Sequence, residues 1–299
     1  MPKGRNTICV FRGFSTEQVR TIRILKESQP WQEDENRFFL LHSVLCDGAV
    51  CEAVRKRRKL EFVGDSLSSG EGLSGPVELV SSCSGVFGLE GHYALRTAKA
   101  LQADLRILSQ SGWGVCCGWN NSPAYAMPLY YGQVCGISRG ARNRELGALD
   151  DNDFDAWQPD AVVVNPGSND GFALDSAAWV DPRDGKEWRL RADADGRPDR
   201  ASAERFERAA VSFLKCLRQN NPNAWLIWAY GMIDHRMQPY LEESMRQYIE
   251  ESGDEKAEFL SLPAGRAEWT GSNNHPGKRT HEAASELLIK ELNKRLNPE

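Results

Sequence analysis

The sequence predicts an α/β fold: a three-layer, flavodoxin-like domain with a five-stranded parallel sheet, preceded by a short β-rich segment. Three observations lead there. Short apolar runs alternate with amphipathic stretches over residues 58–299, the order that builds a parallel sheet with helices on both faces. The first three runs break into polar, glycine-containing loops: Gly64-Asp65-Ser66, Ser111-Gly112-Trp113-Gly114 and Pro166-Gly167-Ser168-Asn169-Asp170. The ends of such strands are where open α/β sheets hold their ligands. The length, 299 residues, suffices for one large α/β domain or two modest ones.

Residues 1–57 differ from the rest. Thr7–Phe11, Val19–Leu25 and Phe38–Val44 are β-rich runs, and Asp47-Gly48 is a turn signal. They read as a small antiparallel unit, too short for a full sandwich. The basic run Arg55–Lys59 reads as a solvated linker rather than a nucleic-acid patch, because the chain as a whole is acidic.

The remainder reads in order. Leu60–Val63 is a buried strand. Gly70–Gly88 is rich in Gly and Ser and reads as a long loop over the sheet edge. Tyr93, Ala94, Ala98 and Leu101 fall at helical spacing. Asp104–Leu108 is the second strand. Gly118–Gly140 is a loop carrying Trp119, Tyr125, Tyr130 and Tyr131, which line a cleft or pack as a lid core. Ala161–Asn165 is the third strand. In the polar stretch 171–200, Asp193-Ala194-Asp195-Gly196 is faintly similar to a calcium loop, but the glycine is at the wrong offset and the closing Glu is absent. Phe206, Ala210, Phe213, Leu214 and Leu217 form a helical stripe. Ala224–Ala229 is the fourth strand, Leu241, Met245 and Tyr248 mark a helix, and Phe259–Leu262 is the fifth strand. Ala284, Leu288, Leu292 and Leu296 make a last helix, stopped by Pro298.

Composition narrows the function. Charged residues make up 26% and hydrophobic residues 40%, ordinary for a soluble globular protein. The net charge of −5 argues against nucleic-acid and anionic-membrane partners, which select basic surfaces. No apolar run approaches the roughly 20 residues of a membrane span. Met1–Asn6 leads to no sustained apolar core, so no signal peptide is read and a cytoplasmic location is expected, a secreted one if a leader has been removed. The eight cysteines form no C-x-x-C pair and have few histidines nearby, so they are expected to be reduced thiols without zinc.

The polar loops bring chemistry to one edge. Ser66, at the end of the first strand, is a candidate nucleophile; taken alone, it reads equally as a turn or N-cap serine. A serine nucleophile needs a base, and His275, in Gly271–Gly277 after the fifth strand, reaches the same edge. His42, His92, His235 and His281 compete for that role, with His235 the one serious rival. The tetrahedral intermediate needs donors, for which the Ser66 and Gly112 N–H groups and the Asn169 amide are the right types. Trp113, Trp119 and Asp65 are candidates for contact with substrate.

Gly64-Asp65-Ser66-Leu67, Gly112, Gly167-Ser168-Asn169-Asp170 and His275 match, in order, the four blocks of the SGNH (GDSL) hydrolases, which the chain resembles over residues 59–290. Within that superfamily it most resembles carbohydrate esterase family 2. Leu60–Ser66, Ser111–Gly114, Pro159–Asn165 and His275-Pro276-Gly277 carry that likeness. The resemblance implies hydrolysis of acyl esters, acetyl esters of saccharides in particular, through an acyl-enzyme and with no metal or cofactor. A lipase or thioesterase acting on another small ester, or a silent saccharide-binding homologue, are the alternatives. The resemblance also implies a preceding β-sandwich. Residues 1–57 resemble only its last strands, whose edges are then open to a homo-oligomeric partner.

Two positions depart from the family pattern. The usual last block is D-x-x-H, but Ser272 stands three residues before His275. A backbone carbonyl, Asp234 or Glu268 is left to orient the imidazole. Asn274 stands where these esterases commonly carry a substrate-facing Trp.

Overall fold

Five strands pair in parallel to form the main sheet: β1 (Arg58–Gly64), β2 (Ala103–Ser109), β3 (Ala161–Val164), β6 (Trp225–Tyr230) and β7 (Ala257–Ser261), in spatial order β2-β1-β3-β6-β7. This is the doubly wound, flavodoxin-like order. Two further strands, β4 (Trp179–Val180) and β5 (Glu187–Trp188), pair as a separate antiparallel hairpin inside the polar stretch that the sequence leaves unassigned. The computed structural model describes residues 4–13, 15, 17–31, 35, 39–52, 55–138 and 140–297.

Alternation along the strands sends side chains to two cores. Leu60 and Phe62 of β1, Ala161 and Val163 of β3, and Ile227 and Ala229 of β6 face one side. They pack there on Tyr93, Ala94 and Ala98 of α2 (Tyr93–Ala100) and on Ala284, Leu288 and Leu292 of α7 (Lys278–Leu296). Val63, Val162, Val164, Leu226 and Trp228 face the other side. They meet Phe206, Phe213 and Leu214 of α5 (Arg200–Asn220), and Leu241 and Met245 of α6 (Gln238–Ser252). Burial on both faces is why β3 reads as an unbroken apolar run rather than an alternating one. Each Val, Leu, Ile, Phe or Met side chain among them contributes about 1.5–3 kcal/mol by leaving water. Three short helices complete the unit: α1 (Ser66–Ser69), α3 (Ala141–Glu145) and α4 (Ser168–Ala173).

Register sets the functional edge. Gly64 of β1 pairs with Ser109 of β2, and Val63 pairs with Val164 of β3. The three adjacent strands therefore end level, and the loops that follow start side by side.

The chain divides into two compact units, Met1–Lys26 with Phe39–Arg55, and Glu27–Phe38 with Lys56–Glu299. The second unit includes a stretch that lies before the expected boundary at residue 57. Within it, Gln29 accepts the Ser111 N–H at 3.1 Å, and the Pro30 carbonyl accepts the Gln110 side-chain amide at 3.1 Å. In the first unit, the expected strands are corrected: no described residue of Thr7–Phe11, Val19–Leu25 or Phe39–Val44 lies in a strand. Phe38 falls outside the described residues. Val19, Leu45 and Val50 are each more than 80% exposed. Apolar β-formers need a ladder partner and a face to bury, and these runs find neither among the described residues. Among the described residues of this unit there is no strand to offer the open sheet edge expected for a homo-oligomer.

Asp193-Ala194-Asp195-Gly196 is a turn in which Asp193 Oδ1 accepts the N–H groups of Asp195 and Arg197, at 2.9 and 3.0 Å. The last helix runs to Leu296; Pro298 lies outside the described residues. Among the described residues no helix is long and apolar enough to cross a membrane.

Candidate active site

The loop of Ser66, the candidate nucleophile, follows from close packing at the end of β1. A Cβ on Gly64 would lie 2.0 Å from Ser68 Oγ, so the strand can turn back on itself only with glycine there. Asp65 caps α1, its Oδ1 accepting the Leu67 N–H at 3.0 Å. Gly70, at φ 78°, closes the single turn. Ser66 is thereby the first helical residue. Its N–H meets no protein acceptor among the described residues, as expected of a first-turn donor.

The second and third loops flank it. Gln110 donates its N–H to the Gly64 carbonyl at 3.2 Å, tying the end of β2 to the end of β1. Gly112 then takes φ 80°, a left-handed conformation suited to glycine. Its carbonyl accepts the Trp119 N–H at 3.1 Å, and its own N–H meets no protein acceptor among the described residues. Asn169, in the first turn of α4, donates from Nδ2 to the Trp113 carbonyl at 2.9 Å and, at a longer 3.3 Å, to Asp65 Oδ2. Asp170 accepts three N–H groups, from Val115 at 2.8 Å, Cys116 at 2.7 Å and Cys117 at 3.3 Å. This carboxylate fastens the loop after Gly112 to α4. Burial pushes Asp65 and Asp170 up to about 7. Burial likewise pushes the Cys116 thiol up to about 12, which keeps it neutral.

The histidine loop docks on the nucleophile loop through two glycines. A Cβ on Gly72 would lie 2.7 Å from His275 Cβ, and one on Gly271 would lie 1.9 Å from the Gly72 carbonyl oxygen. Ser272 donates its N–H to that same carbonyl at 3.3 Å, and Asn273 donates its N–H to the Leu79 carbonyl at 2.7 Å. Asn273 and Asn274 both sit in the left-handed region, at φ 52° and 57°, which Asn tolerates better than most residues. The resulting tight turn aims the Asn273 carbonyl at His275 Nδ1, 2.7 Å away. A backbone carbonyl thus stands beside Nδ1 where the family pattern has an acid. A proton on Nδ1 donates to it and leaves Nε2 as the acceptor nitrogen.

Other candidates lie elsewhere. His92 caps α2, its Nδ1 accepting the Ala94 N–H, and His281 is buried on α7 accepting the Tyr93 N–H. His235 Nε2 bonds the Leu262 carbonyl at 2.8 Å, and His42 is exposed in the first unit. Asp234 accepts the Tyr230 hydroxyl and the Arg236 N–H, while Glu268 is exposed; neither touches His275. Two expected substrate contacts are corrected. Trp113 is fully buried, stacked on Tyr125 and tilted against Tyr130, so neither ring face is open to a saccharide. Asp65 is fully buried and spent on the α1 cap and the Asn169 amide. Trp119 is half-exposed beside the Gly112 carbonyl that holds its N–H. Asn274 is exposed.

Sequence reasoning missed Glu71. It lies in the Gly-rich stretch after Ser66, is 2% exposed, and its carboxylate touches the second loop and the histidine loop together. A lone charge between two glycines reads as loop composition. The available signal was its place, five residues beyond the candidate nucleophile.

No protein-family profile matches the chain. Among solved structures, it is similar to an acetyl xylan esterase (Est2A) from the rumen bacterium Butyrivibrio proteoclasticus, with 40% identity and a TM-score of 0.81 over 84% of this chain and 67% of that one. A family two carbohydrate esterase from Clostridium thermocellum, solved with cellohexaose, shares the fold at 22% identity and a TM-score of 0.65, over 83% of this chain and 67% of that one. A curated relative, an acetylxylan esterase / glucomannan deacetylase from Cellvibrio japonicus, is 24% identical over 242 residues, 80% of this chain and 57% of its own length. The chain spans between 26% and 59% of the curated relatives it matches. The chain belongs to the family 2 carbohydrate esterases.

Proposed function

We propose that the protein is a serine esterase that removes acetyl groups from acetylated saccharides through an acyl-enzyme. The observation that carries this reading is the pairing of an oriented imidazole with a free donor pair. His275 is held by the Asn273 carbonyl on a loop docked against the Ser66 loop, and the Ser66 and Gly112 N–H groups are both unclaimed by acceptors among the described residues.

In this mechanism Ser66 Oγ attacks the acetyl carbonyl while His275 Nε2 takes its proton. The Ser66 and Gly112 N–H groups and the Asn169 amide receive the negative oxygen of the tetrahedral intermediate. The Asn169 proton for this purpose is the one spent on the long 3.3 Å contact with Asp65; the other is committed to Trp113. The intermediate collapses, the sugar hydroxyl leaves with the proton from His275, and the acetyl group stays on Ser66. Water, deprotonated by His275, then releases acetate. Trp119 is the aromatic surface available for stacking a sugar ring, since Trp113 is buried. Acetylated xylan and glucomannan, the substrates named for the relatives, are the first to try.

The test is hydrolysis of p-nitrophenyl acetate by wild type and Ser66→Ala side by side. Loss of a thousandfold or more in kcat is expected in the variant, on the order of what removing a triad nucleophile costs. Full activity in Ser66→Ala would remove the assignment. A chain-length series separates deacetylation, with preference for C2, from a lipase or thioesterase, with preference for C8 and longer. Saccharide binding by a folded wild type that turns over no ester would identify a silent homologue.

A further inference from the structure

Position 272, where the superfamily places the acid of its triad, is filled by a serine whose hydroxyl donates to the Ser74 carbonyl, away from the imidazole. The Asn273 carbonyl that serves His275 Nδ1 is neutral. It fixes the ring, but it brings no negative charge to face the imidazolium that forms when Ser66 loses its proton. Among the described residues, one carboxylate approaches the ring: Glu71 Oε2 lies 3.6 Å from His275 Nε2, with the Glu71 side chain 3% exposed.

Besides a backbone bridge to Phe87, Glu71 touches three parts of the same machinery. Its N–H donates to the Ser66 carbonyl at 3.0 Å. Its Oε2 accepts the Ser111 hydroxyl at 2.6 Å, one residue before Gly112. Its Oε1 accepts the Asn273 side-chain amide at 2.6 Å, on the residue whose carbonyl orients His275. Both hydrogen bonds to the carboxylate come from donors, the pattern an ionised acid accepts. At 3.6 Å the carboxylate stands beyond hydrogen-bond distance of Nε2, so it leaves that nitrogen to the serine while acting on it through its charge. A buried charge acts through a lower dielectric than an exposed one.

We propose that Glu71 is the acid of this site, a positioning residue that replaces the missing triad carboxylate from a different loop. It braces the nucleophile, oxyanion and histidine loops against one another and places a negative charge beside the imidazolium. The inference rests on the serine-esterase reading above and adds to it a residue that the four sequence blocks do not contain.

Two readouts test it on the full chain. The first is kcat and KM for p-nitrophenyl acetate with Glu71→Gln, Glu71→Asp and wild type. The second is the rate at which a fluorophosphonate modifies Ser66, followed by intact mass. In that step Ser66 Oγ bonds phosphorus, and fluoride departs with the serine proton as HF, so it reports the nucleophile and its base without any assumed substrate.

Glu71→Gln keeps the shape and removes the charge. Its kcat and its labelling rate should each fall at least tenfold, with KM within twofold. Glu71→Asp, which keeps the charge on a shorter arm, should recover part of both. Labelling of Glu71→Gln within twofold of wild type would remove Glu71 from its role while leaving the serine mechanism standing. So would Glu71→Asp no faster than Glu71→Gln. A wild type that is never labelled at Ser66 would take down the serine-esterase reading and this inference with it. Should Glu71→Gln fail to fold, Glu71→Asp decides: a folded variant with lowered kcat and unchanged KM supports the role, and unfolding or a raised KM with intact kcat overturns it.

Discussion

The carbonyl of Asn273 and the Nδ1 of His275 lie 2.7 Å apart, joined across two residues of one tight turn. The residue that holds the His275 ring is therefore also one that must keep a left-handed backbone, at φ 52°. Asn273→Ala would keep the carbonyl but add about 1 kcal/mol of left-handed strain and remove the amide bond to Glu71. We expect kcat on p-nitrophenyl acetate to fall about tenfold with little change in KM. Asn273→Gly, which accepts the backbone angle, should retain more activity than Asn273→Ala; the reverse order would mean that the turn does not aim the base.

Restoring the superfamily acid should not help. Ser272 is fully buried, and its hydroxyl donates to the Ser74 carbonyl. Ser272→Asp would set a carboxylate against that carbonyl oxygen with no donor offered in exchange, a cost of several kcal/mol, about 3 or more. Nδ1 is already served by Asn273. We expect a lower melting temperature and no gain in kcat. A more active Ser272→Asp would show that the loop can repack into the usual triad.

What the chain's order of residues made legible, and what it did not, follows from the range of the interactions involved. The strands β1, β3 and β6 are continuous apolar runs because both faces are buried, so their type and place show locally. Ser66, Gly112 and Asn169 could be gathered from the sequence because β2, β1 and β3 are sheet neighbours with level ends. Glu71 could not, because its meaning lies in a contact with Asn273, 202 residues away. Trp113 and Trp119 are six residues apart in similar loop surroundings. The packing of Tyr125, stacked, and Tyr130, tilted, against Trp113 makes one a core residue, while the other lies half-exposed. The β-rich runs before residue 57 show propensity without partners, and propensity alone does not make a sheet.

That difference between the two tryptophans has a kinetic signature. Trp119 is half-exposed, and its backbone is tied to Gly112. Trp119→Ala should raise KM for acetylated xylan about tenfold, in keeping with a stacking contact of 1 kcal/mol or slightly more. It should leave p-nitrophenyl acetate kinetics nearly unchanged, since that substrate has no sugar to stack. Trp113→Ala should instead cost about 3–5 kcal/mol of stability by opening a cavity in the core. Equal losses on both substrates in Trp119→Ala would assign it to the fold rather than to the saccharide.

The buried histidines make stability depend on pH. His92 is fully buried against Ser68 and α2, with its ring centroid 5.5 Å from that of the equally buried His281. Burial pushes His92 down to about 4 and holds His281 well below the ordinary imidazole range. A histidine depressed in the folded state contributes stability that is present above its unfolded value near 6.5 and is lost as pH falls toward 4. For His92 the loss is about 3 kcal/mol across that window. Asp65 and Asp170, raised to about 7 by burial, act in the opposite sense: their contribution is present below about 4 and fades as pH rises to 7. The His92 share is isolated by comparison with His92→Asn, because Asn is also a strong N-cap and can accept the Ala94 N–H. In urea unfolding, wild type should lose about 3 kcal/mol more than His92→Asn between pH 6.5 and pH 4. Parallel stability curves would mean that His92 takes up its proton without opening the fold.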